Sequence, residues 1–344
     1  MSEGATVKPH WSDLPDEELL KLRFRELGLK IEGTYLDGCV QELYRELDER
    51  NLRLHPPCYL GDEWFSPDGV PAIAIPFYLA HPRLQQLEKK MMMEVEGGGG
   101  TEDALRFLRH ECGHTLCHAF LLTERRDWKK VFGSPSKEYR EHYRYQPYSR
   151  NYVRHLENWY AQSHPEEDFA ETFSVWLAPG LDWKTLYRGW PALRKLEFVD
   201  GLMAELAGKP SLVGAGRKVD DVRRLRRRLC THYEQRRKLY AEEYPSFFDA
   251  DLRRIFVDKA ASSNGVPASR FLRRQRSQLL NAVSFWTRER KFMVDRLLRQ
   301  LITRCTELKL CVPRDEDRAK IETAAYLSAL ASNYLFTGRL KRGP

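Results

Sequence analysis

The chain has 344 residues, 42% apolar and 31% charged, with a formal net charge of +8. That length allows two domains with a core each, or one large one, and no run approaches the roughly 18–20 apolar residues that a membrane helix needs. Seven cysteines, an odd number without a CxxC pair, argue against a disulfide framework or a zinc ribbon and for reduced, mostly buried thiols.

Met1 to Pro15 is polar and carries acids, so a signal peptide is not expected and a cytoplasmic location is the default. The net charge hides a split. Residues 215–344 hold 30 Lys and Arg against 15 Asp and Glu, whereas the first 214 hold 27 against 34. Two regions with different roles are expected on that ground.

Taken in chain order, Asp13 followed by Leu19, Leu20, Phe24 and Leu27 predicts a helix over 13–27. Val40, Leu43, Tyr44 and Leu47 predict a second over about 37–50, ended by Pro56 and Pro57. Short strand signals follow at Tyr59-Leu60 and Trp64-Phe65, then the turn Ser66-Pro67-Asp68-Gly69. Val70 to Tyr78 reads as a strand that Pro71 and Pro76 should confine to an edge or make irregular. Gly97 to Gly100 is a break. Thr101 is the expected cap of a helix that Glu102 and Asp103 open and that runs to about Phe120. Residues 127–155, rich in Tyr, Arg and Pro, read as a long, partly ordered loop. A further helix should start near Pro165, carry Phe169, Phe173 and Trp176, and stop at Ala178-Pro179-Gly180. A linker is expected at Gly208–Gly216. Beyond it the pattern is helical: Val222, Leu225, Leu229 and Tyr233 form a stripe. Leu279, Leu280, Val283, Trp286, Leu297, Leu301 and Ile302 are expected core on one or two long helices. A last helix over about 315–335 carries Ile321, Ala324, Ala325, Tyr334 and Leu335.

The chemistry concentrates at His110-Glu111-Cys112-Gly113-His114. Two histidines four apart on a helix leave from one face, so two neutral nitrogens can reach one zinc ion at about 2.0–2.1 Å. Glu111, beside His110, can act as general base on a water that the metal acidifies, then pass the proton to a leaving amine. HExxH arises by chance in roughly one chain in a hundred of this length, so the third ligand matters. A metzincin continuation HExxHxxGxxH is absent, since Cys117 and Phe120 stand at those positions. His118 lies about 12 Å along the helix from His110 and cannot share its metal. Downstream, Glu166, Glu167, Asp168 and Glu171 crowd a helix start. Glu167 and Glu171 share a face and could supply one ligand and one carboxylate that orients a ligating histidine.

HExxH paired with ExxxE on a second helix resembles the gluzincins, the thermolysin-like class. The run Glu167-Asp168-Phe169-Ala170-Glu171-Thr172-Phe173 is similar to the corresponding stretch of the anthrax lethal factor catalytic domain. Tyr160, His164-Pro165 and that run also resemble a bacterial family of zinc-binding metallopeptidases in which a Tyr stands seven residues before the ligand Glu. The resemblance covers about 105–177, and more weakly 60–200. It implies Glu167 as third ligand, Glu171 as the carboxylate behind a histidine, and Tyr160 as a donor to the oxyanion. Asp168 becomes the ligand if the helix starts in another phase, and Tyr148, Tyr152 and His164 share the same approach.

The expected fold is α+β: a helix-rich, zincin-like metallopeptidase domain with a small sheet over 1–212, then an all-α basic region over 215–344. The expected function is a peptidase in which zinc, held by His110, His114 and Glu167, works with Glu111, Tyr160 and Glu171. Its substrate is a peptide or protein, and no membrane partner is expected. A zinc hydrolase of a non-peptide amide, or a regulator with an inactive zinc fold, is the alternative. Val70–Tyr78 could receive an extended peptide by strand addition or be ordinary core. Arg223-Arg224, Arg226-Arg227-Arg228, Arg236-Arg237-Lys238 and Arg273-Arg274 with Arg276 could meet nucleic acid or an acidic partner, form a solvated face, or dock on the chain's own acidic part.

Overall fold

The computed structural model describes residues 10–139, 143, 145–146, 148–156, 159–214, 216–238, 248–258 and 265–337, with no side-chain placement for 333–337. The chain divides into two compact units. The first comprises Met1–Met91, Val95–Tyr139 and Pro147–Arg237; the second comprises Met92–Glu94, Arg140–Gln146 and Lys238–Pro344. No helix among the described residues is long and apolar enough to cross a membrane.

The helices of the first unit are α1 (Tyr35–Glu49), α2 (Pro82–Met92), α3 (Thr101–Phe120), α4 (Arg126–Phe132), α5 (Pro165–Leu177), α6 (Leu193–Leu206) and α7 (Leu229–Lys238). Two short parallel strands, β1 (Cys58–Gly61) and β2 (Ile73–Pro76), pair Tyr59 with Ala74 and Leu60 with Ile75. The fold is thus helix-rich α+β. Helix α3 is its centre: every residue from Leu108 to Cys117 is buried. It packs on α5 and α1, and β2 lies along it. Gly113 makes the α3–α5 approach possible, because a Cβ there would stand 2.7 Å from the Cα of Ala170.

Several expectations are corrected. No continuous helix covers 13–27; single turns at Asp16–Leu19 and Phe24–Leu27 replace it. The competing partner is the segment before α7. The N–H groups of Leu229 and Cys230 bond to the carbonyls of Leu22 and Leu20, and those of Phe24 and Arg25 to Arg227 and Leu225. The same pairing keeps 222–228 out of a helix. Thr101 is the first residue of α3 rather than its cap; the cap is Gly100, in a positive-φ conformation. The loop expected at 127–155 contains α4 at its start. The strand expected over Val70–Tyr78 shrinks to Ile73–Pro76, bounded by the two prolines, and it is not an open edge. Ala74 pairs with Tyr59 on one side and exchanges two backbone hydrogen bonds with Phe65 on the other.

Part of the basic stretch is spent inside this unit. Arg227 pairs with Asp62 at 2.5 Å, and Arg236 with Glu88 at 2.7 Å and Glu63 at 3.1 Å. All seven cysteines are free; Cys58 and Cys230 are half-buried and the rest buried.

The second unit contains α8 (Asp249–Ile255), α9 (Ala268–Thr287), α10 (Lys291–Glu307) and α11 (Glu316–Thr337), with a two-residue antiparallel ladder between Val257–Asp258 (β3) and Leu310–Cys311 (β4). Arg288, at φ +60°, ends α9 and turns the chain into α10. Leu279, Leu280, Val283, Leu297, Leu301 and Ile302 form its core. Trp286, expected in that core, is 80% exposed, and Ile321 on α11 is 69% exposed. Both lie outside the buried cluster, on faces open to solvent. Tyr334 and Leu335 lie outside the described side chains.

Candidate metal centre

Helix α3 supplies the histidines and α5 the acids. Because His110 and His114 are one turn apart, their Nε2 atoms meet at 3.2 Å. Oε2 of Glu167 lies 3.0 Å from the first and 3.1 Å from the second. All three side chains are buried, with relative exposures of 3%, 9% and 5%.

This triangle fits a zinc ion. Tetrahedral ligands at 2.0–2.1 Å stand about 3.3–3.4 Å from one another, close to the three edges seen. The donor set of two imidazole nitrogens and one carboxylate oxygen is one that zinc takes. Tautomer chemistry agrees. Nδ1 of His110 hydrogen-bonds to Oε1 of Glu171 at 2.9 Å, so its proton sits there and the Nε2 lone pair points at the cluster. Electrostatics point the same way. Burial disfavours charge on both imidazoles, yet the carboxylates of Glu167 and, for His110, Glu171 lift their pKa above the usual range. Burial likewise opposes the Glu167 anion, but the two histidines hold its pKa well below normal.

Glu171 is doubly held. Its second oxygen accepts the N–H of Leu156 at 2.8 Å, which ties the segment before α5 to the carboxylate behind His110. In the same segment His155 bonds through Nε2 to the carbonyl of Arg106 on α3 at 2.9 Å. Glu111 is 6% exposed; burial raises its pKa against the pull of His110 and His114, and a backbone hydrogen bond from Ser66 supports its carboxylate. The ring of Tyr160 lies 5.6 Å from that of His110.

Asp168 points elsewhere. It pairs with Lys195 at 2.6 Å, and burial, partly offset by that lysine, pushes its pKa up to about 7. The other tyrosines on the approach have different neighbours. Tyr148 is 77% exposed beside Trp159, and Tyr152 carries the Lys195 ammonium 4.1 Å above its ring. His164 caps α5, its Nδ1 accepting the N–H of Glu166 at 3.2 Å. His118 accepts the N–H of Gly69 at 3.2 Å.

Residues 102–180 match the model of a family described as "Putative zinc-binding metallo-peptidase".

The matched span runs from the first turn of α3 to just past the end of α5, so both helices of the cluster lie inside it. At family level it points to a zinc metallopeptidase. No curated protein and no solved structure matches the chain. The likeness to the lethal factor catalytic domain therefore stands on the motif residues alone.

Two groups at the site escaped the sequence pattern. Tyr139 donates to the second oxygen of Glu167 at 3.0 Å, from a stretch whose many tyrosines gave no periodic signal. Arg109 forms a buried, two-pronged pair with Glu46 of α1, at 2.9 and 2.7 Å, and anchors α3 one residue before His110. A charged residue on an otherwise buried stretch of helix was the available sign.

Proposed function

We propose that this protein is a zinc-dependent peptidase. Supporting this most directly is the buried His110–His114–Glu167 cluster with Glu111 beside it, inside the span that matches the metallopeptidase family. His110, His114 and Glu167 are the residues that hold the metal, and Glu171 fixes the ring of His110 through Nδ1. When bound, zinc supplies Lewis acidity, lowering the pKa of a water and polarising a carbonyl. Glu111 takes the proton of the attacking water and returns it to the departing amine; burial raises its pKa, which favours accepting that proton. Tyr160 donates its hydroxyl to the oxygen on which charge develops. Strand addition of the peptide at Ala74 of β2 is closed, because that residue is already paired on both sides.

The test is Glu111→Gln in the full-length protein, assayed on a mixture of internally quenched fluorescent peptides. Zinc content stays the same and hydrolysis falls by about 10²–10⁴-fold. Undiminished hydrolysis by the zinc-loaded variant refutes the role of Glu111; a purified wild-type protein that takes up no zinc refutes the metal site.

A further inference from the structure

Tyr139 holds a place at the cluster that the two histidines and their carboxylate do not require. Its hydroxyl donates to Oε1 of Glu167 at 3.0 Å, while Oε2 of the same carboxylate meets both imidazoles. Its ring lies flat on the imidazole of His164, with centroids 3.7 Å apart and 23° between planes. His164 in turn is pinned at both nitrogens. Nε2 donates to the carbonyl of Lys137 at 2.8 Å, and Nδ1 accepts the N–H of Glu166 as the cap of α5.

This arrangement answers a problem that a glutamate ligand poses. The terminal torsion of Glu is broad and roughly two-fold, so nothing intrinsic decides which oxygen faces a metal, or whether both do. A donor fixed on Oε1 removes that freedom. Fixing the donor needs a rigid support, because the tyrosine side chain is half-exposed and would otherwise swing. His164 gives that support: a neutral ring with a single defined tautomer, tied to the start of the helix that carries Glu167.

We propose that Tyr139 is a positioning residue for the metal centre, its hydroxyl locking Glu167 so that Oε2 alone faces His110 and His114, with His164 as the platform that holds the phenol. The proposal rests on the zinc reading above.

Full-length Tyr139→Phe keeps the ring on His164 and removes only the hydroxyl. Zinc affinity, read by competition with a chromophoric chelator, falls by about 10–100-fold, and the melting temperature of the zinc-free protein does not move. His164→Asn keeps a capping side chain and removes the platform; it gives a smaller loss of the same sign. In a Glu167→Gln background the added Tyr139→Phe change has little further effect, within about two-fold. Wild-type zinc affinity in Tyr139→Phe, together with loss of zinc in His110→Ala, overturns the positioning role and leaves the metal site standing. A lowered melting temperature of zinc-free Tyr139→Phe, or a full additional loss in the Glu167→Gln background, overturns it too, since the hydroxyl then acts on something other than Glu167. Wild-type protein that takes up no zinc, or His110→Ala that takes up as much as wild type, defeats the zinc reading and this proposal with it.

Discussion

The two units both rest on packed helix pairs, but they bury different things. Helices α3 and α5 bury Arg109, His110, Glu111, His114, Glu167, Asp168 and Glu171. Helix α9 buries no charged side chain, and α10 buries only Asp295, bracketed by Arg276 at 2.6 Å and Arg299 at 2.8 Å. Along α9 and α10, Asp295 apart, the ordinary rule for a helical core holds: apolar stripe inward, charge outward. The first departs from it where departure is costly, since a buried charge loses several kcal/mol of solvation unless it is paired. Such groups persist where their partners over-determine them, and the pairs around α3 form that set: Arg109 with Glu46, His110 with Glu171, Lys195 with Asp168. A core organised by pairing should fail when one partner is removed; a core organised by hydrocarbon should fail when volume is removed.

Arg109→Leu is the largest expected break on the charged side. It leaves Glu46 buried without its cation and lowers stability by about 3–5 kcal/mol in urea unfolding. Replacing both, as Arg109→Met with Glu46→Leu, recovers most of that loss; a double variant as unstable as the single one contradicts the pairing account. On the hydrocarbon side, Leu280→Ala costs about 2–5 kcal/mol through the cavity it opens. Trp286→Ala, a larger deletion only six residues on, changes stability by no more than about 0.5 kcal/mol because that ring is already in water. Equal losses for the two would mean that Trp286 is covered. Two glycines separate close helix contact from open space. Gly113→Ala pushes a methyl into the backbone at Ala170, costs about 1–3 kcal/mol and weakens zinc binding by separating α3 from α5. Gly201→Ala in α6, where nothing lies within 4 Å of the new Cβ, gains about 0.5–1 kcal/mol. A neutral Gly113→Ala would show that the two helices need not approach so closely.

The long helices were legible because their signals are local. The four-residue spacing of His110 and His114, the acids after Gly100, and Pro165 ahead of an apolar run are each readable within a few residues of their effect. What was not legible depends on distant partners. A helix over 13–27 is locally reasonable, but its backbone groups bond instead to a segment some 200 residues later, and the Arg23 side chain adds a bond from its guanidinium to the carbonyl of Arg226. The apolar pattern of α9 and α11 includes Trp286 and Ile321, yet only docking decides which edge of the stripe is covered. At the site, the spacing of Glu167 and Glu171 says that they share a face. It does not say which of Glu167 and Asp168 meets the histidines. That follows from the phase of α5, set by the His164 cap, and from Lys195, which draws Asp168 away. Tyr139 is the extreme case: a loop residue whose only mark is the atom it touches.

The separation of the ligands in sequence sets an order of events. His110 and His114 are neighbours in any helical turn, so a fluctuating α3 already presents two donors. Glu167 lies 53 residues beyond His114, and only the docking of α5 through the Gly113–Ala170 contact brings it in. Closing so long a loop is slow compared with forming one helix. On the zinc reading proposed above, the unfolded chain would offer a weak two-coordinate hold on a metal and the docked chain a tighter three-coordinate one. Capture of the ion would then be a folding signal: the last ligand arrives with tertiary structure, and the free energy of binding adds to that of the fold.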